Sequence, residues 1–205
     1  TVNTLLLSGT TLYVGGSFSQ VGTTNRARLA SIDTATGTLN GWNPGASGEV
    51  FDLALGTNEL FVGGNFGTLG GTGRANLGSV NPTTGAVTSF NPNVSDDVYS
   101  IVLTGSTLYI GGIFDQIGSA ARSRIGAVEI STGLPTLFNP GSNGPVNALE
   151  LNGTTLYVAG DFTQIASSAR ENLVAFDLTN GLPTAWDPKV HGEVNAVRAF
   201  NADVA

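Results

Sequence analysis

The chain contains one histidine, His191, one lysine, Lys189, and no cysteine. These counts decide much of the chemistry open to it. A thiolate nucleophile, a disulfide framework and a cysteine zinc site are excluded. One imidazole without thiolate or imidazole partners does not make a typical zinc site. Ser-His-Asp catalysis would have to use His191, and no G-x-S-x-G elbow is present to hold the serine. The carboxylates are scattered. Asp96 and Asp97 fall in one connector, Asp115 and Asp161 near the ends of two strands, and none sits in the spacing of a calcium hand. A glycosidase needs two carboxylates at a set separation in space, and no singular pair stands out. We therefore expect no catalytic residue, no enzymatic activity and no cofactor. Calcium held by loop carboxylates and carbonyls is the one alternative these side chains allow.

One polar residue recurs regularly. Arg26, Arg74, Arg122 and Arg170 are 48 residues apart. Such a column could ring an anion. Seven positions later stand Asp33, Asn81, Glu129 and Asp177, and sixteen later Trp42, Phe90, Phe138 and Trp186. A guanidinium that bonds the first and stacks on the second would be a structural clamp, and that is the role expected. The aromatic column, once per repeat beside a proline, is expected to pack rather than to hold a sugar.

The arginines belong to a wider period. Val2, Val50, Val98, Val146 and Val194 mark it, and the register holds without insertion through 2–49, 50–97, 98–145 and 146–193. Leu7, Leu12, Gly16, Phe18, Gly37 and Pro44 each recur in all four units. Residues 194–205 read as the start of a fifth unit. Each unit reads as four short strands. In unit 1 these are 2–7, 11–18, 28–33 and a fourth ending at Pro44, with Ser8-Gly9 and Thr36-Gly37 as tight turns. Leu12, Val14 and Phe18 lie on one face of strand two and Tyr13 on the other, so both faces carry apolar groups and each sheet should be sandwiched between neighbours. Pro135 and Pro183 fall inside strand four and make it an edge. Almost no helix is expected.

A four-stranded antiparallel unit with an apolar first strand and an edge fourth strand fits a β-propeller blade. The motifs TLYVGGSF, Arg followed by LASID, a TG turn, and WNP or FNP before the next Val resemble the bacterial delta-sixty type of propeller repeat and the related fungal Rax-type surface propellers. SIDTATGTLNGW and AFDLTNGLPTAW are also similar to quinoprotein propeller blades, from which the inserted loop with its Arg departs. Four units and one extra strand do not close a ring of four, so the chain is expected to be one segment of a larger ring of six to eight blades. The resemblance implies a propeller on a surface protein. The composition, rich in Gly, Thr, Ser and Asn, points to a secreted or surface protein.

The net charge of −7 with eight basic residues argues against nucleic acid and anionic membranes. No apolar run is long enough for a membrane helix. Partners are expected to be protein chains or further blades, with glycans as an alternative. The connectors GASGE, NVSDD, GSNGP and KVHGE diverge where the strands match, and binding residues favour such loops. We expect the candidate interaction face there, with Asp96, Asp97, Asp115, Lys189 and His191. The expected role is a non-enzymatic structural or interaction module in adhesion, assembly or scaffolding. A glycan- or small-ligand-binding propeller is the alternative, and a propeller enzyme ranks below it.

Overall fold

In the computed structural model, which describes residues 1–199, the chain is all-β with antiparallel sheets and, among the described residues, no helix. Each unit builds a sheet of three long strands in sequence order. Unit 1 uses Val2–Ser8, Thr11–Gly16 and Leu29–Asp33, and unit 3 repeats this with Val98–Thr104, Thr107–Gly112 and Ile125–Glu129. Units 2 and 4 do the same from Glu49–Leu55 and Val146–Asn152 onward.

The expected fourth strand is largely absent. In units 1 to 3 it is reduced to one bridge, Ile32 to Leu39, Val80 to Val87 and Val128 to Pro135. Only unit 4 forms a strand there, Leu182–Pro183. In all four units an arginine donates to the carbonyl of the residue that follows this bridge or strand. Arg26 donates to Asn40 O at 2.8 Å and Arg122 to Thr136 O at 2.6 Å. Residues 194–199 form no strand, and 200–205 of the expected fifth unit lie outside the described residues. Strand three begins at Leu29 because Arg28 takes a left-handed φ of 66°, as do Asn76, Arg124 and Asn172. Each of these side chains bonds a connector carbonyl of its own unit, such as Arg28 Nη1 to Ala46 O at 3.3 Å and Asn76 Nδ2 to Val94 O at 3.0 Å.

The core lies between units. Tyr13, Leu29, Trp42 and Ala46 of unit 1 pack with Val50, Leu53, Leu60 and Val62 of unit 2. The same arrangement joins units 2 and 3 around Phe90 and Ile101, and units 3 and 4 around Tyr109 and Leu149. Each fully buried aliphatic or aromatic side chain contributes about 1.5–3 kcal/mol. Glycine makes these approaches fit. A Cβ on Gly15 would stand 2.6 Å from Val50 Cγ1, and one on Gly111 would stand 2.5 Å from Val146 Cγ1.

The first strands of successive units pack side by side and together line one cavity of about 380 Å³. A polar relay runs through it. The half-buried Asp52 carboxylate accepts from Thr4 Oγ1 at 3.3 Å in unit 1 and from its neighbour Leu53 N at 2.9 Å. From unit 3 it accepts Ser100 Oγ at 3.2 Å and Ile101 N at 2.9 Å. Ser100 Oγ in turn accepts Leu149 N of unit 4 at 3.1 Å. Ala148 stands next in this column and ends the relay.

Burial pushes the Asp52 carboxyl above its ordinary value, and the hydrogen bonds it accepts pull the other way less strongly. A carboxyl that binds its proton more tightly when folded favours the fold at low pH and loses that contribution as pH rises through the folded value. We expect the melting temperature of the native chain minus that of Asp52→Asn to fall from pH 3.5 to pH 7.5 in thermal scans. A flat or rising difference would count against this account of the relay.

Candidate functional site

The connectors and the loops between strands two and three meet on one face. Each loop folds into a small hairpin, such as Thr68–Leu69 with Thr72–Gly73, and the preceding connector bridges to it: Ala46 to Leu69, Val94 to Ile117, Ser142 to Ile165. One side chain per connector then holds that hairpin. Ser47 Oγ accepts Gly67 N at 3.0 Å and Thr68 N at 2.9 Å. Ser95 Oγ accepts Asp115 N and Gln116 N, and Asn143 Oδ1 accepts Thr163 N and Gln164 N. These three fall in one column of the repeat, and His191 is the fourth member. Sequence reasoning missed the column because Ser and Asn differ as names while sharing an acceptor oxygen. Its signal was an oxygen-bearing side chain at the same offset in three consecutive connectors.

The five candidate residues form two groups. Asp115 Oδ1 accepts Ser95 Oγ at 3.0 Å, and Asp96 Oδ1 accepts Asp97 N at 2.9 Å. Burial raises the Asp97 carboxyl above its ordinary value. The Asn65 amide opposes this, and the charges of Asp96 and Glu49 add to the rise. In the second group His191 Nδ1 lies 2.7 Å from Glu171 Oε2, and Lys189 Nζ lies 3.6 Å from Asp187 Oδ2, which also pairs with Arg170 Nη1 at 3.1 Å. Among the described residues no three His, Cys, Asp or Glu side chains converge as metal ligands.

The arginine column is placed differently from the expected partnership. Arg122 Nη1 donates to Ala121 O at 2.7 Å and Nη2 to Thr136 O at 2.6 Å, so the fork ties the hairpin to the rim segment. Arg26 and Arg74 make the same pair of bonds. Asp33, Asn81 and Asp177 turn inward on their own turns, as when Asp33 Oδ1 accepts Ala35 N and Thr36 N. The aromatic column packs edge-on against strand two, with Trp42 5.2 Å from Tyr13 and Phe138 5.2 Å from Tyr109.

One junction differs from the others. Between units 1 and 2, Tyr13 OH donates to Pro82 O and Trp42 Nε1 to Asn81 O. Between units 3 and 4, Phe138 replaces the tryptophan, and among the described residues Tyr109 OH bonds no protein group although Tyr109 is only 9% exposed. A groove of about 730 Å³ opens there, lined by Tyr109, Phe138, Leu182, Asn139 and Asn180. The corresponding groove between units 2 and 3 holds about 210 Å³.

No family model matches the chain, and no curated protein matches it. Solved structures do. The computationally designed Ika4 protein is 15% identical, with a TM-score of 0.56 over 87% of this chain and 91% of that one. The designed Ika8 protein is 14% identical, with a TM-score of 0.56 over 98% of this chain and 65% of that one. A chain of a mitotic checkpoint complex is 15% identical, with a TM-score of 0.66 over 95% of this chain. This chain spans 54% of that one, a little over half its length. At these identities the likeness is one of fold.

Replacing Arg122 by Ala removes two charge-assisted bonds to carbonyls, worth about 1.5–3 kcal/mol in all. We expect a matching loss in chemical denaturation. Arg122→Lys should recover less than half of it, because an ammonium cannot reproduce the fork. An Arg122→Ala chain as stable as the native one would remove the structural role.

Proposed function

We propose that the chain is a non-enzymatic structural and interaction module, an arc of β-propeller blades on an extracellular or cell-surface protein. Its rigid connector face binds other protein chains for adhesion or assembly. The observation that carries this reading is the division of labour within each connector. Ser47, Ser95 and Asn143 fix the backbone, while neighbouring positions change from unit to unit. Preorganised backbone with free side chains lowers the ordering cost of binding. The blade reading is supported by first strands that line one cavity and by cores that lie between sheets. The resemblance to delta-sixty and Rax-type repeats supports the surface location.

The test compares the native chain with Asp96→Ala/Lys189→Ala/His191→Ala for binding to intact cells of the source organism. We expect the variant to lose at least about tenfold in affinity, more than 1.4 kcal/mol, with its melting temperature unchanged. Equal binding by both chains would remove the connector face from the proposal.

A second reading, a propeller that binds a neutral glycan or another small ligand, is favoured by the groove between units 3 and 4. The free Tyr109 hydroxyl and the two asparagines supply hydrogen bonds beside apolar walls, as small-molecule sites do. Burial raises the Tyr109 phenol above its ordinary value, so it stays a neutral donor at physiological pH. On a glycan array, native binding that Tyr109→Phe abolishes would establish this reading, and an array without hits would dismiss the glycan form of it.

A further inference from the structure

Every junction of the repeat seats the same two columns, with a half-buried third at Leu55, Leu103 and Leu151. Val50, Val98 and Val146 are each 0% exposed, and Leu53, Ile101 and Leu149 are 6%, 3% and 5% exposed. Their counterparts in unit 1 stand open, Val2 at 53%, Leu5 at 61% and Leu7 at 63%. At the internal junctions the occupant is known: it is the face of the preceding unit that carries its strand-two aromatic, its rim aromatic and the glycine of the Gly15 column.

That glycine is a seat. Hypothetical Cβ atoms on Gly15, Gly63 and Gly111 would lie 2.6, 3.0 and 2.5 Å from Cγ1 of Val50, Val98 and Val146. At 2.6 and 2.5 Å a real methyl would clash and at 3.0 Å it would be crowded, so the valine of each unit enters a notch that glycine keeps open. Unit 4 departs from the rule. Ala159 stands in the column, paired in its own sheet with Ala148 where the other units have Thr, Asp or Ser. Val194, the valine of the next column member, is only half-buried.

We infer that the Val2, Leu5 and Leu7 face of unit 1 is a docking surface for one further unit of this repeat, and that it selects a unit with glycine, not alanine, in the Gly15 column. The alanine-bearing end of a second copy of this chain is therefore a poor occupant. The inference rests on the blade reading above only for the direction in which the arc grows.

The test joins an extra unit to Val2 of the full chain, either a copy of residues 98–145, which brings Gly111, or a copy of residues 146–193, which brings Ala159. The glycine-bearing unit should raise the melting temperature by at least about 5 °C and suppress binding of a hydrophobic dye. The alanine-bearing unit should raise it by less than half as much. Ala159→Gly in the added copy should raise it further, against the usual sign for glycine in a strand. Leu5→Asp should abolish the gain from the glycine-bearing unit while leaving the unextended chain unchanged, since Leu5 is exposed there. No gain, equal gains from the two units, or self-association of the unextended chain that Leu5→Asp removes would each overturn the inference. Small-angle scattering separates the two levels. An extended chain that fits a straight stack would sink the blade reading, whereas a curved arc without thermal gain would sink the docking surface alone.

Discussion

A single half-buried carboxylate ties together strands from three units. Asp52 accepts donors from unit 1, its own unit and unit 3, and Ser100 passes the connection to unit 4. Two of the acceptor bonds serve backbone N–H groups, Ile101 and Leu149, on strands already paired on their other side. Without side-chain acceptors these amides would be buried and unpaired, at a cost of roughly 1–3 kcal/mol each. The spacing of the inner strands is thus set by polar geometry as well as by packing. The valine seats, the aromatic pairs at the junctions and the common cavity all depend on that spacing.

The division between inner and outer regions follows from it. Near the cavity, hydrogen bonds run from unit to unit. At the rim, the bond found in every unit stays within it, from the arginine fork to the carbonyl fourteen residues later. Trp42 and Tyr13 add bonds to unit 2 at the first junction alone among the described residues. The middle of each sheet is apolar on both sides because it serves two junctions, one with each neighbour. Asn3 and Asn147 repeat this logic at the inner edge, each reaching a glutamate of the following connector, Glu49 at 2.9 Å and Glu193 at 3.0 Å.

Much of this was legible in the residues. Alternation in TLYVGG and the Thr-Gly turns locate the three long strands, since period-two burial and left-handed glycine leave direct marks on sequence. The rim strand was over-read. Its residues have strand character, but their carbonyls answer to an arginine, and a main-chain acceptor has no letter. The partner of the arginines was misjudged for the same reason, because Asp33 and Asn81 are taken by their own turns. In the connectors, the change from Ser47 and Ser95 to Asn143 concealed one shared task. The groove beside Tyr109 was not legible, because Phe90 and Phe138 share one column and yet border grooves of about 210 and 730 Å³. The left-handed column at Arg28, Asn76, Arg124 and Asn172 alternates between two residue types, so a search for identical letters passes over it.

The rim segment has a mechanical consequence. The chain enters each unit at the inner strand and leaves it from the rim, where one bridge, one guanidinium and one rim aromatic do the holding in units 1 to 3. Tension applied through the backbone would reach that weak hold before it reached the three-stranded sheet. Each unit would then yield a short length of slack while its junctions stayed closed, making the array compliant under small loads and stiff once the slack is spent.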